Sequence, residues 1–223
     1  MKFALVHPNH IWNDALMPAL ILAALIAVGV PVVTPSIVQA EQVAKQAPAP
    51  SAVPSVPFYS QFKDITSATW QKVGCGVTSL AMIIDYYKSA VPVNTLLKEG
   101  VAAGAYLQNA GWTYKGLIGL SQKYGLKGNS YDLGKLGTDA AFSQFKDSLK
   151  NGPVIASVHY KFDPKSTIPH LVVINGIKGD ILYYNDPAAK VGEKQISTAD
   201  FLKAWKKRFI VIRPVKETLA LRG

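Results

Sequence analysis

Three hydrophobic patterns divide the 223-residue chain. From Ala15 to Val33 apolar residues run on without a charge. From residue 75 to about 152 they recur every three or four positions, and from 153 to 214 they gather into short β-branched and aromatic runs. In the middle region CGVTSLAMIIDYYKSA (75–90) puts Val77, Leu80, Ala81, Ile84 and Tyr87 or Lys88 on one helical face. Ala90-Val91-Pro92 ends that helix, because a residue before proline avoids helical angles. Shorter helices are predicted from Asn94 and from Tyr114, the second closed by Gly125. A further helix over 138–152 takes Thr138 or Asp139 as its cap and buries Phe142, Phe145 and Leu149. The strand-like runs are 153–160, 170–177, 181–185 and 208–214, with Lys178-Gly179-Asp180 as a tight turn between the middle two. A late helix over 197–207 carries Ser197 and Asp200 as a capping pair. Helices first and antiparallel strands later predict an α+β domain in two segregated parts.

The uncharged run is long enough to cross a bilayer as a helix, which takes about 20 residues. Lys2 precedes it and the small-residue site Val38-Gln39-Ala40 follows, so residues 1–40 read as a secretory signal peptide or a retained signal-anchor. Both readings put the rest of the chain outside the cytoplasmic membrane. Residues 41–55, rich in Pro and Ala, form a tether with too little apolar surface to fold. The globular domain then spans 56–215, with a short tail at 216–223. Lys2 and Asp14 are the only charged residues before position 40, so the net charge of +10 belongs to the exported part. Such a surface favours anionic neighbours, a cell wall or a membrane among them. The lysines are scattered apart from 206–208 and accompany no nucleic-acid-binding signature, so no nucleic-acid partner is expected.

One cysteine in an exported chain forms no internal disulfide, which leaves Cys75 as a reactive thiol, an intermolecular bridge or a small core residue. Its place favours reactivity, although Gly-Cys-Gly alone also fits a tight loop-to-helix turn. Cys75 opens a helix, where free amide N–H groups and the helix dipole favour a thiolate, and Gly74 and Gly76 clear the space for a substrate backbone. A nucleophilic thiol needs a base. His159 lies inside an apolar strand and reads as a core or edge histidine, whereas His170 opens a strand at a loop junction. With a turn of residues 178–180, Val172 pairs with Asp186, and Asp186 then lies on the side of His170 as a diagonal neighbour. Such a carboxylate orients an imidazole; an Asn-Asp-Pro turn is the plainer use of the same residues. Gln61, in an otherwise apolar extended segment, could supply an oxyanion donor beside the Cys75 backbone N–H. One cysteine and two dispersed histidines give no metal-ligand spacing, and no cofactor is expected.

Taken together, VPFYSQF, GCGVTSLAMIIDYY, HLVVINGIKGDILYYNDPA and FLKAW resemble the papain-like cysteine peptidases of the bacteriocin-processing, double-glycine type, in their stand-alone branch. The resemblance covers about residues 56–213. It implies a papain-like fold, a peptide or protein substrate, Gln61 in the oxyanion hole, Cys75 as nucleophile, His170 as base and acid, and Asp186 as its orienter. Val77 stands where the family often has proline, and the chain has no GxxxxGK[ST] motif of the transporter-fused members. Two other functions fit the same residues: an amidase or acyltransferase on cell-wall peptides, and a tethered binding module on a retired peptidase fold.

Overall fold

The computed structural model describes residues 53–108 and 111–215. The signal or anchor segment, most of the tether and the tail from residue 216 lie outside the described residues. Four helices come first: α1 (Ala68–Gln71), α2 (Cys75–Tyr87), α3 (Val93–Ala102) and, after a small hairpin of β1 (Tyr106–Leu107) and β2 (Gly111–Trp112), α4 (Tyr114–Gln122). Then follow β3 (Leu126–Asp132), α5 (Thr138–Leu149), β4 (Val154–His159), β5 (Pro169–Lys178), β6 (Ile181–Asn185), β7 (Lys194–Ser197), α6 (Thr198–Ala204) and β8 (Trp205–Pro214). The strands β3 to β8 form one antiparallel sheet in the order β3-β8-β4-β5-β6-β7.

The central strands read as unbroken apolar runs because helices cover both faces of the sheet. Ile155, Leu171, Val173, Ile210 and Ile212 pack with Val77, Leu80, Ile84, Leu96 and Leu117 of α2, α3 and α4. Their alternate neighbours Val154, Ala156, Val158, Val172 and Ile174 pack instead with Phe142, Phe145 and Phe201 of α5 and α6. Side chains alternate along a strand, so one stretch of sequence feeds two cores. The second core is aromatic: Phe145 lies 4.9 Å from Trp205 and 5.2 Å from Phe209, ring centre to ring centre.

Several expectations change in detail. Helix α2 stops at Tyr87, one turn before the Pro92 signal, with Lys88 already out of the helical region (φ −139°). Helix α5 begins after Gly137, and neither Thr138 nor Asp139 caps it. The late helix is shorter than expected: Trp205 and the residues after it belong to β8, whose ladder with β3 and β4 outweighs the local helical pattern. Its start is as expected, for Ser197 Oγ accepts from the Asp200 N–H at 3.0 Å. The division into helical and sheet parts is also less clean, because β3 leaves the helical half to pair with β8. Its sequence LKGNSYD gives no strand signal. Gly128 is needed there because a Cβ would meet the Val211 carbonyl oxygen of β8.

The β5–β6 hairpin carries the most consequential difference. Its turn has two residues, Gly179 and Asp180, so Lys178 faces Ile181 and Ile177 faces Leu182, one step off the expected pairing. A bulge at Asn175 undoes the offset, since Gly176 pairs with Tyr183 but Ile174 pairs with Tyr184. Val173 is then opposite Asn185. One further step puts Val172 opposite Asp186, as the sequence predicts, by a different route.

Candidate active site

Cys75 begins α2, with Gly74 as the residue before the helix. The two glycines serve the packing of the protein itself. A Cβ on Gly76 would stand 2.6 Å from Trp112 Cγ, and one on Gly74 would collide with the buried Ile65 side chain and approach Trp70 O at 3.1 Å. Trp112 also donates its indole N–H to the Val73 carbonyl at 2.7 Å, which pins the loop ahead of Cys75. The expectation that these glycines admit a substrate backbone is thus replaced by a tighter one: they let the loop ahead of Cys75 seat against Ile65 and Trp112.

One turn into α2, the buried Ser79 donates to the Leu171 carbonyl at 3.3 Å. Leu171 follows His170, so this bond ties the helix that begins at Cys75 to the strand that carries the imidazole. His170 is itself buried, and its Nε2 lies 2.6 Å from Asp186 Oδ1. With Nε2–H donating to the carboxylate, Nδ1 is left for the thiol. The Tyr160 ring stands edge-on to the imidazole at 5.2 Å.

The pair is electrostatically coupled. Burial is the largest single influence on His170 and favours the neutral ring, but the hydrogen bond to Asp186 and the neighbouring Cys75 and Asp186 groups outweigh it. The imidazole is raised from its ordinary 6.5 to about 9. Burial likewise opposes ionisation of Asp186, yet the bond to His170, its charge and the Ala188 N–H hold the carboxyl below its usual range.

The Asn-Asp-Pro turn and the orienting carboxylate turn out to be one feature. Asp186 Oδ1 accepts the Ala188 N–H at 2.8 Å, closing an Asx turn, while the same oxygen faces His170. Buried Asn185 anchors this loop: its Nδ2 donates to Val56 O at 2.9 Å and its Oδ1 accepts the Glu193 N–H at 2.7 Å.

Gln61 is held against that loop. Its backbone N–H donates to Pro187 O at 2.8 Å, and Ser60 Oγ donates to Ala189 O at 2.9 Å. Its side-chain Nε2 donates to Gln71 O at 2.6 Å, leaving its second N–H uncommitted, and the buried Oε1 has no partner. Gln71 in turn donates to the carbonyls of Phe62 and Ile65, clamping the turn after Gln61. Gln61, Cys75 and His170 all line one cleft of about 680 Å³, together with Trp112 and Tyr114. Trp70 packs edge-on against Tyr106, 4.9 Å between ring centres. His159 stands apart, with Nδ1 2.6 Å from the Ser166 carbonyl at the end of β4. Among the described residues no group of His, Cys, Asp and Glu is arranged to hold a metal ion.

Ser79, Gln71 and Tyr160 escape a reading of the sequence. Only Ser79 leaves a trace there, as a polar side chain on the buried face of an apolar helix.

A helix-borne thiol facing a strand-borne, carboxylate-paired imidazole across a cleft defines a papain-like cysteine peptidase. Residues 53–209 match the sequence model of the Peptidase_C39 like family, and the chain belongs to that family. It is 29% identical over 140 residues to the mesentericin transport/processing ATP-binding protein MesD of Leuconostoc mesenteroides; the match takes in 63% of this chain and only 17% of that protein. Among solved structures, a double glycine motif protease from an AMS/PCAT transporter, crystallised with its leader peptide, is similar at TM-score 0.51 and 26% identity, over 72% of this chain and 93% of that one. A C39-like peptidase from Bacillus anthracis shares the fold at TM-score 0.54 and 22% identity, over 72% and 96% of the two chains. The chain is a cysteine peptidase by family.

Proposed function

We propose that Cys75, His170, Asp186 and Gln61 carry out thiol-dependent hydrolysis of a peptide bond. His170 Nδ1 first takes the Cys75 thiol proton, and Sγ of the resulting thiolate then bonds to the carbonyl carbon, whose oxygen becomes an oxyanion. The Cys75 backbone N–H and the second Nε2–H of Gln61 stabilise that oxygen. The protonated His170 then gives its proton to the leaving amine nitrogen, the C–N bond breaks and a thioester remains. Water adds to the thioester as His170 takes its proton, and the thiol leaves. Asp186 keeps the imidazole in one orientation and favours its protonated form throughout.

The single observation that carries this reading is the His170 Nε2–Asp186 Oδ1 pair, 2.6 Å long and buried, whose imidazole lines the same cleft as Cys75. Nothing in the packing of the sheet requires an ion pair there. The likeness to a double glycine motif protease in complex with a leader peptide makes a double-glycine peptide the first substrate to test. Incubated with such peptides and read by mass spectrometry, the protein cuts one bond, and Cys75→Ala cuts none while keeping its fold. Turnover by the alanine variant sinks the mechanism.

The reaction is assigned to the outer side of the cytoplasmic membrane. The uncharged segment Ala15–Val33 and the Pro/Ala-rich tether after it support that location. The amino-terminal mass of the protein recovered from cell fractions tests it: a start at Glu41, or an intact chain in the membrane, agrees, and an intact chain in the cytosol does not.

A further inference from the structure

The cleft has a charge pattern that the proposed thiol chemistry leaves unused. Lys72, Lys206 and Arg208 line it, and among the described residues no aspartate or glutamate does. Lys72 stands three residues before Cys75. The other two are present because β8 is broken where it passes β4: Arg208 faces Ser157 but Trp205 faces Val158, so Lys206 and Lys207 are extra residues bulged out of the ladder. Lys207 takes a left-handed conformation, φ 53°, which a non-glycine residue avoids unless its surroundings hold it there. Its Nζ donates to Leu136 O at 3.0 Å. Bulges beside active sites re-aim side chains, and this one turns Lys206 onto the cleft wall.

The cations differ in how far they are neutralised. Arg208 Nε donates to Asp132 Oδ2 at 2.8 Å, an exposed pair. Among the described residues no carboxylate makes an ion pair with Lys72 or Lys206. Exposed Phe62 and Ile168 also line the cleft, so a bound peptide would displace water around these charges and sharpen their effect.

We propose that this wall selects peptides with an aspartate or glutamate side chain close to the scissile bond, with Lys206 as the main determinant. The proposal rests on the cysteine-peptidase reading of Cys75. A solvent-facing charge pair of this kind changes a rate by up to about fivefold, and salt reduces it.

Two measurements test the wall separately. In the first, fluorogenic peptides are made in pairs that differ only by Glu or Gln at each position around the cut bond, and kcat/KM is compared at low salt. The expected result is a preference of about fivefold for Glu at one or two adjacent positions. Lys206→Glu reverses it, whereas Lys127→Glu, the same charge change on exposed β3, keeps it. Equal rates for Glu and Gln at every position, or a preference indifferent to Lys206→Glu, overturn the proposal. The second needs no turnover. Cys75 is the only thiol, so its alkylation by anionic iodoacetate and neutral iodoacetamide can be followed by intact mass. Lys206→Glu is expected to lower the iodoacetate-to-iodoacetamide rate ratio by about fivefold. A lowered ratio with no peptide cut would uphold the anion-selecting wall and refute the peptidase reading. Cleavage with an unchanged ratio would do the reverse.

Discussion

The two sides of the cleft are held by different forces. Around Cys75 the chain is fixed mainly by shape: Gly74 fits against Ile65, Gly76 lies under Trp112, and one indole hydrogen bond pins the preceding loop. Around His170 it is fixed by polar bonds: Asp186 to the imidazole, Ala188 to Asp186, Asn185 to Val56 and Glu193, and Gln61 to Pro187. In the proposed mechanism Cys75 is the nucleophile and His170 the base; a nucleophile needs a rigid place, and close packing supplies one. A base must change protonation during the reaction, and hydrogen-bonded neighbours can answer that change where methyl groups cannot. The two sides should therefore fail in different ways.

The largest effect is expected from the polar side with no change of shape. Asp186→Asn keeps the volume but loses the charge that holds His170, and kcat should fall on the order of 10³- to 10⁴-fold, with the melting temperature also lowered because a buried pair loses one partner. A loss below tenfold would show that the imidazole is oriented by packing after all. The packed side should respond to a single added methyl. Gly76→Ala forces Trp112 out of its seat, at a cost of about 1–3 kcal/mol of stability by denaturant titration. Adding Trp112→Leu should recover part of that loss, and strict additivity of the two changes would break the packing account.

Acid–base behaviour separates the sides as well. The folded pKa of His170 is raised to about 9 from 6.5, so the stability it contributes is whole below pH 6.5 and is lost as pH climbs through about 9. Asp186 is lowered from 3.8, so its contribution is present above that value and is lost as pH falls through the depressed one. The pair thus stabilises the fold most between the ordinary carboxyl and imidazole values, 3.8 and 6.5, and less toward about 9. In Asp186→Asn the largest remaining influence on His170 is burial, and its titration, followed by the imidazole proton resonance, should move down. Activity in the wild type should decline as pH passes about 9, when the imidazole loses its proton. The smallest effect belongs to Tyr160→Leu. Removing the edge-on ring should reduce kcat by about threefold to tenfold and leave KM nearly unchanged, since an aromatic pair of this kind is worth about 0.5–1.5 kcal/mol.

How much of this is legible in the sequence follows the same divide. Helix α2 and the strand runs announce themselves by period, because burying one face demands it. The thiol, imidazole, carboxylate and glutamine can be picked out by residue type and local context. The reasons they meet cannot. The hairpin turn is one residue shorter than the pattern suggests, and only the bulge at Asn175 returns Asp186 to its place. The Asn175-Gly176 pair inside β5 resembles a turn when read alone. In the fold Gly176 lies against the start of the domain, where a Cβ would stand 3.2 Å from Val53 Cγ1. Strand β3 is hidden for a related reason, since a polar edge strand is defined by its partner, here β8. Roles set by long-range contact leave no periodic trace.

Strand β8 has a consequence of another kind. It is the last strand of the domain, yet it lies inside the sheet, between β3 and β4. Until Trp205–Pro214 has been synthesised, β3 has no partner in the sheet and β4 lacks one of its two. Gln61 and Asp186, joined through Pro187, therefore flank a sheet that closes only once its last strand has been made. A ribosome-bound chain lacking that strand would carry the thiol without a finished catalytic cleft, so biosynthesis itself delays the appearance of proteolytic power.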